Sequence, residues 1–422
     1  MAPAWAKRVF GRAPPRAAET PDPLAALLRP ASEAGRQRLD DLLAETPVPA
    51  GRVARHLQIA GVEDFAFAKN AVLSLADIGW PDSIRYGFFE LRDAIITPFG
   101  FLISGDRLVF NTQILPNGWM RGGEGGSPEL VRRIFEHNSV HKLDIWRGAC
   151  LMSLPADIEE IAAPAFLFNS RLSCFNFAHL VHDTLIQAPT YLDASAHAGE
   201  AATPLIVGPG FHYPVMGEMF RRAAGREPMF LRNRFLRARR LFVPTTHFSP
   251  ASDAIARGAV ARLVETLSGA LADHHSPSAR RLFISREDSG RGDDREPRFA
   301  NADELRQALS RLEVEPVVAS RLGVEDYLRA FANAELIVGL HGAGLANAVL
   351  SADARVAEIT VPGYPDWRSL RLFIETGMGA PFRRVVMPAP VNGLAHYDVP
   401  AIVAAVEALL SSPPMRHGPH AG

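Results

Sequence analysis

His341, Gly342 and Gly344 stand where an apolar run, ELIVGL (335–340), gives way to the small-residue segment AGLANAVL (343–350). Glycines at the carboxyl end of a strand let backbone approach an anion with no Cβ in the way. The N–H groups that open the following helix add the positive end of its dipole. His341, Gly342, Ala343 and Gly344 therefore suit a diphosphate. They do not complete a dinucleotide fingerprint: GAGLAN carries only the first two glycines of G-x-G-x-x-G, and no acidic residue sits at the usual distance on a next strand end. The competing reading of the same residues is close strand-to-helix packing around a hydrogen-bonded histidine.

A second strand end lies in RRLFISREDSGRGDDREPRFAN (280–301), where Ser285 and Arg286 follow an apolar run and Arg298 and Asn301 follow a polar loop. A guanidinium at a strand's carboxyl end is a permanently charged fork that can grip phosphate oxygens in two places. Arg291, Asp293, Asp294 and Arg295 read as solvated loop. The third cluster is CFNFAHLVHDTLIQ (174–187), in which Asn176, His179 and Asp183 share one helical face at i, i+3 and i+7. A histidine and a carboxylate so placed can form a general base and its orienting partner, with Asp183 the first choice as base and His179 able to orient it or exchange roles. An N-terminal cap followed by a solvent-facing stripe would use the same spacing.

These groups need elements to hold them. AFLF (165–168), PLIVG (204–208), RRLFVP (239–244), RLFIS (281–285), VEPVV (314–318), ELIVGL (335–340) and RVAEI (355–359) are short apolar strands. Helical patterns at 251–273, 302–312 and 324–333 lie between the later ones, and VPAIVAAVEALL (399–410) reads as a final helix. Near-continuous Val/Ile/Leu strands alternating with helices imply a parallel sheet covered on both faces, a doubly wound α/β unit that binds ligands outside the carboxyl ends of its strands. Residues 93–110 read as a hairpin and residues 32–80 as mixed helical segments. The resulting domains are a basic, disordered tail at 1–30, an N-terminal domain at 31–245, a C-terminal Rossmann-like domain at 246–410 and a disordered tail at 411–422, with the boundary set by PTTHFSP (244–250).

The 45 basic and 46 acidic residues nearly cancel, so no global field recruits nucleic acid, and any anion must be bound locally. Two cysteines, Cys150 and Cys174, are too few for a disulfide framework or a four-cysteine zinc site and read as reduced thiols. No apolar run is long enough to span a bilayer. The N-terminal stretch MAPAWAKRVFGRAPPRAA lacks the apolar core of a secretory signal, so the expected location is the cytoplasm, with peripheral membrane contact through that patch as the weaker reading. A hydrolase with HGAG as its oxyanion loop would need a nucleophile elbow, and the chain contains no G-x-S-x-G.

Taken in order, the three clusters resemble glycosyltransferase family 61. The resemblance rests on Asn176-x-x-His179 with Asp183, on ISR (284–286) followed by Arg298-x-x-Asn301, and on HGAGLAN (341–347) followed by Glu358. It implies a GT-B-like architecture, two Rossmann-like doubly wound domains facing across a cleft, and inverting, metal-independent transfer from a nucleotide sugar, a UDP-sugar in first place, to a hydroxyl of a glycan or polysaccharide precursor. No cofactor is implied. Carried over, Arg286, Arg298, Asn301, His341, Gly342, Ala343, Gly344 and Asn347 would hold the donor, with Asn347 at the start of the following helix. Glu358 would reach the nucleoside, His179 or Asp183 would serve as base, and Asn176 would lie on the acceptor side. The family usually has Gly before that Asn and often an aromatic residue after the His, where this chain has Phe175 and Leu180. A nucleotide-sugar or glycan-binding protein of the same fold, without turnover, is the alternative.

Overall fold

The structure, a computed structural model, describes residues 51–61, 67–74, 83–98, 100–110, 140–144, 149–168, 171–232, 234–244, 253–276, 278–285, 298–351, 353–362, 374–375, 378–389 and 394–412. The tail expected over 1–30, Arg286 and residues 413–422 lie outside them.

Five parallel strands form the C-terminal sheet, in the order Val314–Val317, Arg280–Ile284, Ala334–Leu340, Arg355–Thr360, Phe382–Val386. Counted along the chain, that order is 2-1-3-4-5, so the winding direction reverses between Arg280–Ile284 and Ala334–Leu340. Both faces are covered, which is why the strand sequences run almost unbroken in Val, Ile and Leu. Phe283, Leu336, Val338 and Ile359 pack with the C-terminal helix Val399–Leu410, whose Ile402 and Val406 are buried among them. Leu282, Ile284, Ile337, Val356 and Phe382 face the other way, into the largest apolar cluster.

That cluster is shared with the first half of the chain. It takes in Tyr191, Met219, Phe220, Leu263 and Phe331 from the helices Ala188–Ala198, Pro214–Ala224, Asp253–Ala270 and Val324–Ala332, and Phe88, Phe166, Phe168 and Phe242 from the other sheet. The helices thus form a layer between two sheets. Helix Asp253–Ala270, just past the boundary expected near 245, packs on helices of the first half and also on the segment 343–350.

The N-terminal sheet corrects the expectation of a second wholly doubly wound domain. Its parallel part, Ala165–Phe168, Thr203–Ile206 and Met229–Phe230, has helices Ala188–Ala198 and Pro214–Ala224 in its crossovers. Through Leu236–Pro244 it joins a largely antiparallel part that includes Ser83–Ile96, Leu102–Ser104, Arg107–Phe110 and Ala149–Pro155. The hairpin expected over 93–110 is there. Within 32–80, however, Arg52–Gly61 and Phe67–Ser74 are strands and not helices. Val53 and Leu57 mimic helical spacing, but antiparallel pairing of 52–58 with 149–155 decides the matter. Among the described residues no helix is long and apolar enough to cross a membrane.

Candidate active site

Asn176 caps the first turn of the segment that carries the His179 and Asp183 pair: its Oδ1 accepts from the N–H groups of Ala178 at 2.9 Å and His179 at 3.4 Å. The capping role weighed for this residue is therefore present. The helix Phe177–His179 widens into a π-turn at Leu180–Thr184 before tightening at Leu185–Gln187 and continuing as Ala188–Ala198. Such π-turns recur at functional sites. Here the turn carries Asp183, whose Oδ2 lies 2.7 Å from His179 Nδ1. Buried polar side chains fix the backbone of both residues. The Ser173 hydroxyl donates to the His179 carbonyl at 2.9 Å, Thr184 donates to Ser173 at 2.7 Å, and Gln187 Nε2 donates to the Asp183 carbonyl at 2.7 Å. A carboxylate on Nδ1 selects the tautomer that leaves Nε2 as acceptor.

His182 points away from that pair into the core, and burial pushes its pKa from 6.5 down to about 4. The folded chain then refuses a proton that the unfolded chain accepts. Stability is expected to fall as pH drops below 6.5, with the loss complete below about 4, a total of about 3 kcal/mol. His182→Leu should flatten the denaturant midpoint between pH 6.5 and 4.5 relative to the parent chain; an unchanged slope would assign the acid sensitivity elsewhere.

At the second strand end, Ser285 is buried and its N–H extends the ladder to Val317 O at 2.9 Å. Arg286, the next residue, falls outside the described set. Arg298 begins a two-residue strand paired with Leu394–Ala395. Asn301 gives its amide to structure: Nδ2 donates to the Tyr397 carbonyl at 3.0 Å and Oδ1 accepts from the Tyr397 N–H at 2.8 Å, beside the stacked rings of Phe299 and Tyr397.

The third strand end is the most organised. His341 N–H bonds to Ile359 O at 2.7 Å, and Gly342 then takes φ 147°, ψ −173°, open to glycine and strained for other residues. A Cβ on Gly344 would come 3.2 Å from Ile284 Cγ2, so this glycine also serves the close approach of the turn to the neighbouring strand. The next residues, Ala343–Leu350, form a 3-10 helix longer than most, which their small side chains tolerate where i and i+3 eclipse. Asn347 lies inside that helix and not at its start. It is buried, donates from Nδ2 to Gly344 O at 2.9 Å and accepts from the Tyr327 hydroxyl at 2.6 Å. Burial pushes the Tyr327 phenol up, so it remains a donor.

Glu358, expected at the nucleoside, sits instead behind His341. It is 0% exposed, with Oε1 against His341 Nδ1 and Oε2 accepting from Arg384 Nε. Register explains the alignment, since Gly339, Glu358 and Arg384 are side by side on adjacent parallel strands, and His341 is two residues beyond Gly339 on the same face. Arg384 and Tyr327 escaped the sequence reading. Neither belongs to a recognisable motif, and only strand register or a tertiary contact reveals them.

The first and third clusters meet. The turn Phe177–His179 lies against the helix Ala343–Leu350, and the Phe177 ring is 6.2 Å from that of Tyr327, which in turn holds Asn347. They meet at the carboxyl end of Ala334–Leu340, beside Arg280–Ile284, where the winding order reverses and an open α/β sheet forms its ligand crevice.

Comparison with known proteins gives three results. Residues 177–357 match the family described as Glycosyltransferase 61. No curated protein matches the chain. A solved flavodiiron core from Synechocystis aligns at 11% identity over 90% of this chain and 73% of that one, with a TM-score of 0.22, a likeness that carries no argument. The matched segment, residues 177–357, holds His179, Asp183, His341 and the glycine turn, and over it the chain is similar to the Glycosyltransferase 61 family.

Proposed function

We propose that this glycosyltransferase moves a sugar from a nucleotide-sugar donor, with UDP the first nucleotide to test, to a hydroxyl of a glycan by direct inverting displacement without a metal. The observation that carries this reading is the packing of the His179–Asp183 turn against the helix that follows His341. The proposed base and the helix proposed to receive the diphosphate thereby lie on packed segments.

In this reading His179 Nε2 takes the acceptor's hydroxyl proton as the oxygen attacks the anomeric carbon, and Asp183 stabilises the imidazolium that forms. That reverses the first choice made from sequence, because Asp183 occupies Nδ1 and is the less exposed of the two side chains, at 20% against 35%. The bond from anomeric carbon to diphosphate oxygen breaks with its electron pair, and the leaving charge meets the N–H groups opening Ala343–Leu350, with His341 held by Glu358. Arg286 and Arg298 are assigned to the same diphosphate from sequence. Gly342, Ala343 and Gly344 contribute backbone, while Asn301, Asn347 and Glu358 shape the site and do not touch substrate. The reading extends to a GT-B-like arrangement, with the acceptor on the side of the first half of the chain and a capsular or other polysaccharide precursor met in the cytoplasm.

The test is a thermal-shift panel of nucleotides and nucleotide sugars followed by turnover. One nucleotide family should raise the melting temperature, contributing about 2.7 kcal/mol at a hundredfold excess over its Kd. The corresponding sugar nucleotide should be hydrolysed slowly without acceptor. Stabilisation without any turnover would leave a binding protein of this fold, and neither effect would end the reading.

A further inference from the structure

We propose that a basic hollow on the rim of the N-terminal sheet, with Phe230 in its wall, is an acceptor subsite for a carboxylate-bearing sugar, with Arg232 as the residue that grips the carboxylate. The proposal rests on the glycosyltransferase reading above and deepens it by giving the acceptor a chemical class.

The hollow, about 490 Å³, is lined by Pro228, Met229, Phe230, Arg232 and Arg234 at the end of the edge strand Met229–Phe230. Its two arginines differ. Arg234 is committed, with Nη1 2.6 Å from Glu159 and Nε donating to Leu231 O at 3.3 Å. Arg232 is exposed, and among the described residues neither an ion pair nor a hydrogen bond occupies its guanidinium. Its backbone is held at φ 47°, a left-handed conformation that residues other than Gly, Asn and Asp rarely adopt. The bond from Arg232 N–H to Gly208 O at 3.0 Å maintains that conformation. Such an outlier presenting an uncommitted cation beside a cavity points to a ligand. A planar fork suits a planar carboxylate.

Aromatic rings supply the rest of a sugar site. Phe230 packs edge-on to Phe211 with centroids 5.1 Å apart, and Tyr213, two residues further, is 46% exposed with its ring braced by His212 at 4.6 Å. The His212 N–H donates to Cys174 O at 2.8 Å, which sets this loop beside Phe175, itself 50% exposed. Phe175 immediately precedes Asn176, where the family usually has Gly. Pyranose rings offer apolar C–H faces to aromatic rings and polar edges to solvent.

The position fits an acceptor. The segments holding Phe175, Tyr213 and Arg232 follow three adjacent parallel strands, Ala165–Phe168, Thr203–Ile206 and Met229–Phe230, and are laced by the Cys174–His212 and Gly208–Arg232 bonds. Two strand spacings, about 10 Å, separate the first and last of these strands.

Saturation-transfer NMR on the full chain, with methyl glucuronide and methyl galacturonide against the corresponding neutral glycosides and inorganic phosphate, tests the proposal. The uronides should bind at least about tenfold more tightly than the neutral glycosides, with phosphate displacing neither. Arg232→Gly, which accommodates the same φ, should abolish the preference while leaving neutral-glycoside and nucleotide binding unchanged, and Arg232→Lys should restore part of it. Equal binding of charged and neutral sugars, preference retained in Arg232→Gly, or displacement of the uronides by phosphate would overturn it. Nucleotide-sugar binding and hydrolysis, followed separately, report on the transferase reading. A uronide preference without them would leave Arg232 in a glycan site and remove the transfer chemistry.

Discussion

His179→Ala is expected to lower kcat for transfer by about 10²- to 10⁴-fold while leaving the donor's dissociation constant within about twofold of the parent chain. The loss belongs to proton removal and not to folding, because His179 is half-buried and its backbone is held by Ser173 and its neighbours independently of the ring. Asp183→Asn should also be costly: an amide can still hydrogen-bond to Nδ1 but cannot offset the imidazolium charge. Free imidazole separates the two roles. It should restore part of the activity of His179→Ala, where the missing group is the base, and none in Asp183→Asn, where the base is present and unsupported. If His179→Ala kept activity within a few-fold while Asp183→Asn lost it, the carboxylate would be the base and the roles would return to those first read from spacing.

The C-terminal sheet was readable from sequence because a strand buried on both faces has little choice of residue. Leu282, Phe283 and Ile284 serve two different apolar clusters, and the same holds for Leu336, Ile337 and Val338. Phe382–Val386 was not, since FRRVV alternates too briefly and carries two arginines, one of which proves to be half-buried and paired with the buried Glu358. The N-terminal sheet was less legible for a different reason: its antiparallel strands are specified by partners far away in sequence, as with 52–58 and 149–155.

Contacts between residues close in sequence are visible from spacing, and contacts set by strand register are not. His179 and Asp183 are four apart on one turn, so spacing alone brings them together. Asn347 and Glu358 were identified with the right segment but with the wrong occupation, because sequence cannot say that Tyr327 and Arg384 are waiting for their polar atoms. The motif's glutamate illustrates the difference. Exposed at a strand end it would meet a ribose; at the centre of a register row, flanked by two basic side chains, it orients a histidine.

Glu358→Gln should therefore act first on stability and through it on donor binding. The carboxylate is fully buried between His341 and Arg384, and removing its charge leaves the partly buried Arg384 guanidinium with a weaker partner. Breaking a buried pair from one side costs about 3–5 kcal/mol, far more than an exposed ion pair contributes. Arg384→Met should be damaging for the mirror reason, as it strands the carboxylate beside His341 alone. Because each substitution breaks the same pair from one side, the double variant Glu358→Gln/Arg384→Met should be less destabilised than the sum of the singles by about 0.5–3 kcal/mol. Urea unfolding of the four chains measures this coupling directly. Donor affinity should fall in both singles, since His341 loses its fixed orientation, whereas the His179–Asp183 pair and any binding at the Arg232 rim should persist. Single substitutions that cost under about 0.5 kcal/mol would mean that the row of Arg384, Glu358 and His341 is incidental to the fold, and the diphosphate would have to be organised by the glycine turn and the arginines alone.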